Sequence, residues 1–440
     1  MSRKGRRRDA ARTAAFRVLR AVTGNGAYAN LELARQRAGL NPQDAAFTTE
    51  LVSGTCRAMG SYDRLLQAAS GRELRSLQPA VVDVLRLGVH QLVGMRVPAH
   101  AAISTSVDLA ALEIGERLVG LVNAILHRVA EKDWLGWLEV LGADEDNLGR
   151  IALANHHPRW IAEAFLDVLP FTELVDTLVA NNVASQPTLV VRPGLADVAE
   201  LGGQPARYSP FGAYSEGDPA RVPAVAEHRA GVQDEGSQLV ALALSRVEAP
   251  SGPWLDLCAG PGGKTAILAG LAAKAGDHLL ASERHPHRAA LVAANVQAYP
   301  APDRPLVVAA DGTRPPWSDG SFSRVLADVP CTGLGALRRR PESRWRHQPA
   351  DVDELAVLQE SLLRSAIAAV RPGGVVAYVT CSPHEAETAQ VVAKVADAVE
   401  IVPAAALLPE VPNAASGEFV QLWPHRHGTD AMFLAVLRRR

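Results

Sequence analysis

The stretch Asp256-Leu-Cys-Ala-Gly-Pro-Gly-Gly-Lys-Thr265 decides how this chain is read. It follows the apolar run Trp254–Leu257 at once and leads into an Ala- and Leu-rich segment, so it reads as the turn between a strand and a helix. Glycine there permits a tight turn and close backbone approach, and the start of a helix offers N–H groups that the helix cannot satisfy itself. Gly263-Lys264-Thr265 imitates the end of a P-loop, but that pattern needs glycine at 258, which is Cys258. The dinucleotide fingerprint fails too, because Thr265 replaces its third glycine. What remains is a Gly-rich nucleotide turn, of the kind that lies outside the carboxyl ends of strands in an open parallel sheet.

Outward from this turn, strand-like and helix-like segments alternate. Strands are predicted at Trp254–Leu257, 278–282, Leu306–Ala309, 324–327 and 375–379, and helices at 265–275, 286–298 and 351–370. The last helix carries Asp351 and Glu354 at capping-box spacing, then Leu355, Leu358 and Leu362 on one face. Such alternation implies a parallel sheet covered by helices on both sides. The segments 419–422 and 432–437 add a terminal hairpin. Three acids then close three strands: Glu283, placed for ribose hydroxyls, Asp311, placed for an exocyclic amine, and Asp328.

Two of the four cysteines, Cys331 in Asp328-Val-Pro-Cys331 and Cys381 in Thr380-Cys381-Ser382, sit where apolar runs end. Thiols at two strand ends of a nucleotide-binding domain suggest nucleophilic chemistry and point to methylation at carbon 5 of a pyrimidine. Carbon 5 of cytosine is too weak a nucleophile until a thiolate adds at carbon 6, and a base must later remove the proton at carbon 5. Cys381, Asp328 and Cys331 can supply the thiolate, the acid and the elimination helper. Cys56 and Cys258 read as packing thiols. The absence of any C-x-x-C argues against zinc or disulfides and suits a reducing cytoplasm.

Upstream, residues 10–137 form a helical pattern without strand alternation: Val81, Leu85, Val89 and Leu92 form one stripe and Leu118, Val122, Ile125 and Val129 another, in five to seven helices. Between about 156 and 236, short apolar pieces separated by Pro and Gly suggest a small mixed connector. In His156-His157-Pro158-Arg159-Trp160, the adjacent imidazoles read as opening a helix, with no metal. Apolar stretches are broken by charge, so no membrane span is expected, and the basic start lacks an apolar core for a secretory signal. With a net charge of −2, nucleic acid must be held by local patches. Two are candidates: the N-terminal tail (Arg3, Lys4, Arg6, Arg7, Arg8 and Arg12), expected to order only on RNA, and Arg338, Arg339, Arg340, Arg344, Trp345 and Arg346.

With these motifs in hand, the catalytic third resembles the RNA cytosine-5 methyltransferases of the Sun (Nol/Nop) family: Asp256–Thr265 is similar to their cofactor motif, 328–333 to their Pro-Cys motif and 380–382 to their Thr-Cys motif. The first 140 residues are similar to the NusB-type RNA-binding fold, on segments such as Arg17-Val-Leu-Arg20 and Val122-Asn-Ala-Ile-Leu-His-Arg128. The resemblance implies Cys381 as nucleophile and Cys331 as the group assisting product release, with Asp328 and Lys264 near the target base. It implies S-adenosylmethionine held by Cys258, Ala259, Gly260, Pro261, Gly262, Gly263, Lys264, Glu283, Arg288, Asp311 and Asp328. The chain departs from many relatives at Glu385-Ala-Glu-Thr388, where they carry Pro-Glu-Glu-Asn, and at Glu283, where Asp is commoner.

The expected architecture is an α/β Rossmann-like methyltransferase domain (236–440) with a mostly parallel seven-stranded sheet. An all-α NusB-like bundle (1–145) and a mixed connector (146–235) precede it. The expected activity is methylation of a cytosine in small-subunit ribosomal RNA by a cytoplasmic monomer. Its rivals are the same chemistry on transfer RNA, and a non-catalytic role in ribosome assembly or antitermination.

Overall fold

Local signals set the helices of the first 180 residues. In a computed structural model, which describes Arg6 and residues 8–440, these are α1 (Ala10–Asn25), α2 (Ala29–Gln36), α3 (Pro42–Ser70), α4 (Pro79–Val89), α5 (Ala99–Glu113), α6 (Val119–Val129), α7 (Trp134–Leu141), α8 (Asn147–Ala154), α9 (Arg159–Leu166) and α10 (Phe171–Ala180). Asp9, Asn41, Asp133 and Asp146 each accept a backbone N–H three residues on, capping α1, α3, α7 and α8. The two apolar stripes lie inward: Val81, Leu85 and Val89 on α4 and Val122, Ile125 and Val129 on α6 share one core with Leu19, Leu51 and Leu65. Each such side chain contributes about 1.5–3 kcal/mol by burial. Leu92 stays at the margin of that core, because the helix widens into a π-turn at His90–Gly94.

The chain divides into two compact units, Met1–Val183 with Leu337–His347, and Ala184–Ala336 with Gln348–Arg440. The expected three-way division does not coincide with them. Residues 146–183 continue the helical unit, and the rest of the connector joins the second.

The second unit holds two sheets. The smaller is antiparallel, in the order β2 (Gln204–Pro205), β3 (Gly212–Tyr214), β1 (Thr188–Val191), β4 (Ala230–Val232). The larger follows after α11 (Pro223–Ala226) and α12 (Glu235–Arg246). It comprises β5 (Trp254–Asp256), α13 (Gly263–Lys274), β6 (Leu279–Glu283), α14 (Pro286–Val296), β7 (Leu306–Ala309), β8 (Phe322–Asp328), α15 (Pro349–Ala369) and β9 (Val370–Thr380). Then come α16 (Ala389–Ala393), β10 (Val399–Val402), β11 (Ala415–Ser416), β12 (Phe419–Gln421), α17 (Pro424–His427) and β13 (Phe433–Arg439). Among the described residues the sheet has nine strands rather than seven, ordered 11-12-13-9-8-5-6-7, with β10 also on β13. The surplus is β10 and the two-residue β11, neither of which the sequence pattern had marked as a strand.

Strands β7, β6, β5, β8 and β9 run parallel and β13 returns antiparallel against β9. Both faces are covered, so alternate residues feed different cores. Val376 and Tyr378 pack with Leu363 and Ala366 of α15, while Val375, Ala377 and Val379 pack with α12 and Ile267 of α13. The α15 capping box is one turn earlier than its sequence suggests, formed by Gln348 and Asp351, because Pro349 takes the first helical position. The order of strands reverses between β5 and β8. Loops leaving these two strands diverge there, which opens the crevice in which such sheets hold ligands.

Candidate active site

At the end of β5, Asp256 is buried and its Oδ2 accepts the Thr265 hydroxyl at 2.6 Å, tying the strand to the first turn of α13. Burial pushes this carboxyl up to about 7, against the lowering effect of that hydrogen bond. Gly262, at φ 110°, opens α13 without a side-chain cap, so the first N–H groups of this helix are left for an anion. Gly260 donates its N–H to Glu283 Oε2 (3.1 Å), and a Cβ there would lie 2.1 Å from that oxygen. Glycine is what lets the loop lie against the end of β6. Glu283 Oε1 accepts the His285 N–H (2.9 Å), and Arg288 donates to the Gly260 carbonyl (2.7 Å). Ala259 donates to Ser282, completing the loop's attachment to β6.

Asp311, past β7, accepts the Thr313 N–H (2.9 Å) and hydroxyl (2.8 Å), which hold its carboxyl below the usual range. Sheet order thus lines up Asp328, Asp256, Glu283 and Asp311 along the carboxyl ends of β8, β5, β6 and the segment after β7. That row, with the uncapped start of α13, has the donor and acceptor set needed by the amino-acid and nucleoside parts of S-adenosylmethionine. Cys258 packs at the core margin, its thiol pushed up by burial.

Lys264, one residue into α13, reaches Asp328 Oδ2 at 2.8 Å and Ser237 Oγ at 3.4 Å. Burial alone would lower its pKa, but the charge and hydrogen bond of Asp328, with a contribution from Cys381, raise it on balance. Cys331 and Cys381 follow the adjacent parallel strands β8 and β9, and that pairing brings Sγ to Sγ at 3.4 Å. The Cys331 thiol is held well above its ordinary range by its hydrogen bond to Cys381, then by burial and by the charges of Cys381, Glu387 and Asp328.

Four residues of this site, Glu387, Thr332, Gln359 and Ser382, were not singled out from sequence. Glu387 is fully buried and accepts the Thr332 N–H (2.8 Å), the Thr332 hydroxyl (2.5 Å) and Gln359 Nε2 (3.0 Å). Gln359 also donates to the Pro330 carbonyl (2.8 Å), and the Thr332 and Ser382 hydroxyls meet at 3.1 Å. The only sequence signal was Glu387 itself, one of two acids in the segment that departs from Pro-Glu-Glu-Asn.

The predicted RNA-contact segment belongs to the helical unit, where much of it is consumed in packing. Arg344 is fully buried and donates to the carbonyls of His156 and Asn181 and to Asn182 Oδ1, and its pKa is pushed down to about 9 by that burial. Trp345 donates to the Cys56 carbonyl (2.9 Å) and packs over Gly60, where a Cβ would fall 2.2 Å from its ring. Arg346 donates to the Ala27 carbonyl and stacks on Tyr28. Arg344 is therefore corrected from an RNA contact to an anchor, while Trp345 and Arg346 are half-buried and tied to the helical unit. Arg338 and Arg339 are half-buried, and Arg340 is exposed over the Tyr28 ring.

In the tail, Arg3, Lys4 and Arg7 lie outside the described residues. Arg6 pairs with Asp108 and Glu116, Arg8 with Glu113 and Arg12 with Asp9, so these three are ordered by acids of the helical unit itself. His156 and His157 precede α9, the first half-buried and the second buried, with pKa values lowered by desolvation.

A Gly-rich loop at the switch point of a doubly covered parallel sheet, with acids in a row beside it, defines an S-adenosylmethionine-dependent methyltransferase of Rossmann-like fold. The sequence model of the family "16S rRNA methyltransferase RsmB/F" matches residues 241–438, and that of the NusB family matches residues 9–131. A Mycobacterium tuberculosis protein that carries a methyltransferase name is 49% identical, over 100% of this chain and 99% of its own length. The ribosomal RNA small subunit methyltransferase B of Pseudomonas putida is 32% identical over 87% of each chain. The crystal structure of PH0851 shares the fold with a TM-score of 0.82 at 20% identity, covering 99% of this chain and 100% of that one. The chain belongs to the RsmB/F methyltransferase family, with a NusB-type helical domain at its N-terminal side.

Proposed function

We propose that this protein methylates carbon 5 of a cytosine in small-subunit ribosomal RNA, through a covalent bond between Cys381 and the base. The observation that carries the reading is the 3.4 Å approach of the Cys331 and Cys381 sulfurs beside the Lys264–Asp328 ion pair. Relatives named for methylation of small-subunit ribosomal RNA supply the substrate class. S-adenosylmethionine, held along Cys258–Lys264, Glu283, Arg288, Asp311 and Asp328, supplies an electrophilic methyl group.

This chain's residues do the rest. The Lys264 ammonium lies close enough to Cys381 for their charges to interact, which favours the thiolate. Cys381 Sγ bonds to carbon 6 of the cytosine, and the displaced electron pair makes carbon 5 nucleophilic. Asp328 and Lys264 stand where the ring edge must be held. Meanwhile Cys331 keeps its proton, since the neighbouring Cys381 is a main reason that its thiol resists ionisation. Once Cys381 is bonded to carbon, that cause is removed. Cys331 can then lose its proton to solvent and take the one on methylated carbon 5. The electron pair of that C–H bond restores the 5,6 double bond and expels Cys381 as thiolate.

The target cytosine must leave its stack to reach the thiols. Of the basic segment, Arg338, Arg339 and Arg340 keep the proposed role on flanking phosphates. No helix of the described residues is long and apolar enough to cross a membrane, and we place the enzyme in the cytoplasm as a monomer. The test is transfer of radiolabelled methyl to unmodified small-subunit ribosomal RNA, with bulk transfer RNA alongside, followed by nucleoside analysis. Label in 5-methylcytidine from ribosomal RNA alone supports the proposal. Label only in transfer RNA overturns the substrate, and no label in either favours a binding role.

A further inference from the structure

Each cysteine is followed by a hydroxyl residue, Thr332 after Cys331 and Ser382 after Cys381, and these two hydroxyls hydrogen-bond to each other at 3.1 Å. The Thr332 proton is committed to Glu387 Oε2, so the proton between the hydroxyls comes from Ser382. Glu387 therefore terminates a chain running Ser382 to Thr332 to carboxylate, and it also accepts the Thr332 backbone N–H. Its other donor, Gln359 on α15, holds the Pro330 carbonyl, one residue before Cys331. The Tyr378 hydroxyl donates to the Glu387 carbonyl at 2.7 Å, tying this residue to β9, the strand that ends one residue before Cys381. The side-chain members, Thr332, Ser382, Glu387, Gln359 and Tyr378, are all buried. A satisfied buried polar network of this kind fixes geometry, because each member has one arrangement that leaves no donor or acceptor orphaned.

We infer that Glu387 is a positioning residue that locks the Cys331 loop against the Cys381 loop and so sets the distance between the two sulfurs. The inference rests on the proposed roles of Cys381 as nucleophile and Cys331 as release group, and extends them. A carboxylate is required because three donors converge on it, two of them from one residue. The carboxamide of glutamine brings two protons of its own into a place built from donors and leaves at least one N–H or O–H unmet. Cys331 faces three groups whose charge raises its thiol, Cys381 beyond β9, Glu387, and Asp328 at the end of β8, and beside them the un-ionised Tyr378 hydroxyl on β9. Removing the Glu387 charge both loosens the loop and eases ionisation of Cys331.

The experiment uses full-length Glu387→Gln, with Thr332→Val as a milder variant that deletes the hydroxyl link alone. Affinity for S-adenosylmethionine is read by calorimetry. Formation and release of the protein–RNA adduct are timed on denaturing gels. We expect cofactor affinity within about twofold of wild type, adduct formation largely kept and release slowed at least about tenfold, as misplacement of a proton-transfer group by a fraction of an ångström produces. The adduct should then accumulate in both variants as it does in Cys331→Ala, with no further slowing when Glu387→Gln and Cys331→Ala are combined. Release at the wild-type rate would overturn the inference, as would additive slowing in the double variant. Equal loss of cofactor binding and adduct formation would also overturn it, since that is the mark of a merely structural glutamate. If wild-type protein forms no adduct, the proposed chemistry fails, and the positioning role is still read by alkylation. In a Cys381→Ser background, the pH midpoint for reaction of Cys331 with iodoacetamide should fall by about one unit on Glu387→Gln. An unchanged midpoint would reject the role of Glu387 at Cys331.

Discussion

The Lys264 ammonium lies 2.8 Å from the Asp328 carboxylate, which joins the start of the helix after the Gly-rich loop to the end of the strand that leads to Cys331. One ion pair thus connects the cofactor side of the crevice to the thiol side. Neither partner is well solvated, so deleting one leaves the other with an uncompensated charge.

Lys264→Met keeps most of the apolar stem and removes the charge. We expect methyl transfer to fall by about 10²–10³, a typical cost of losing one preorganised charge-stabilising group. The loss should appear in kcat as well as in KM for the cofactor, measured by initial rates across a titration of S-adenosylmethionine.

The two thiols should separate cleanly by substitution. Cys381→Ala is expected to abolish turnover while cofactor binding survives. Cys331→Ala should accumulate a covalent protein–RNA adduct, seen as a slow band on a denaturing gel. An adduct in the first variant and not in the second would reverse the assignment.

In the helical unit, Gly60 leaves room for the Trp345 ring, and a methyl group at 60 would fall 2.2 Å from it. Gly60→Ala should therefore destabilise the protein by about 1–3 kcal/mol in denaturant unfolding, the usual cost of overpacking. Trp345→Ala removes the clash, so Gly60→Ala should cost far less in that background. Simple additivity of the two changes would contradict the contact.

Asp256 gives a pH dependence with a definite sign. Its folded carboxyl titrates near 7, above the unfolded value of about 4, so the folded state binds the extra proton between those limits. Its favourable contribution is complete below about pH 4 and is lost as pH rises through 7, at no more than about 1.4 kcal/mol per unit. Asp256→Asn removes this titration. The variant should gain stability relative to wild type as pH rises from 4 to 8, as measured by urea midpoints at each pH.

Much of the catalytic half was legible because its signals are local. Trp254–Asp256, the glycines and the Ala-rich helix after them form a strand–turn–helix whose reading needs no partner, and the acids that close the next strands follow from the same alternation. The two cysteines stood out in the sequence, although their 3.4 Å approach depends on which strands are neighbours. Arg344 was misread for a physical reason. A guanidinium that donates to buried carbonyls and one that awaits a phosphate have the same composition and the same neighbours in sequence. Only burial tells them apart, and Arg344 is wholly buried. Glu387 was passed over because a buried carboxylate is uncommon, so an acid beside Glu385 reads as solvated surface.

The chain crosses between its two compact units three times, at 183–184, 336–337 and 347–348. A gene fragment encoding residues 184–440 alone would carry Leu337–His347 without the helices that bury Arg344 and Trp345, and a fragment ending at 183 would lack the strand of chain that fills them. The two halves are therefore spliced rather than strung together. They cannot be expressed, exchanged or inherited as separate cassettes without rebuilding an eleven-residue stretch that begins six residues after Cys331.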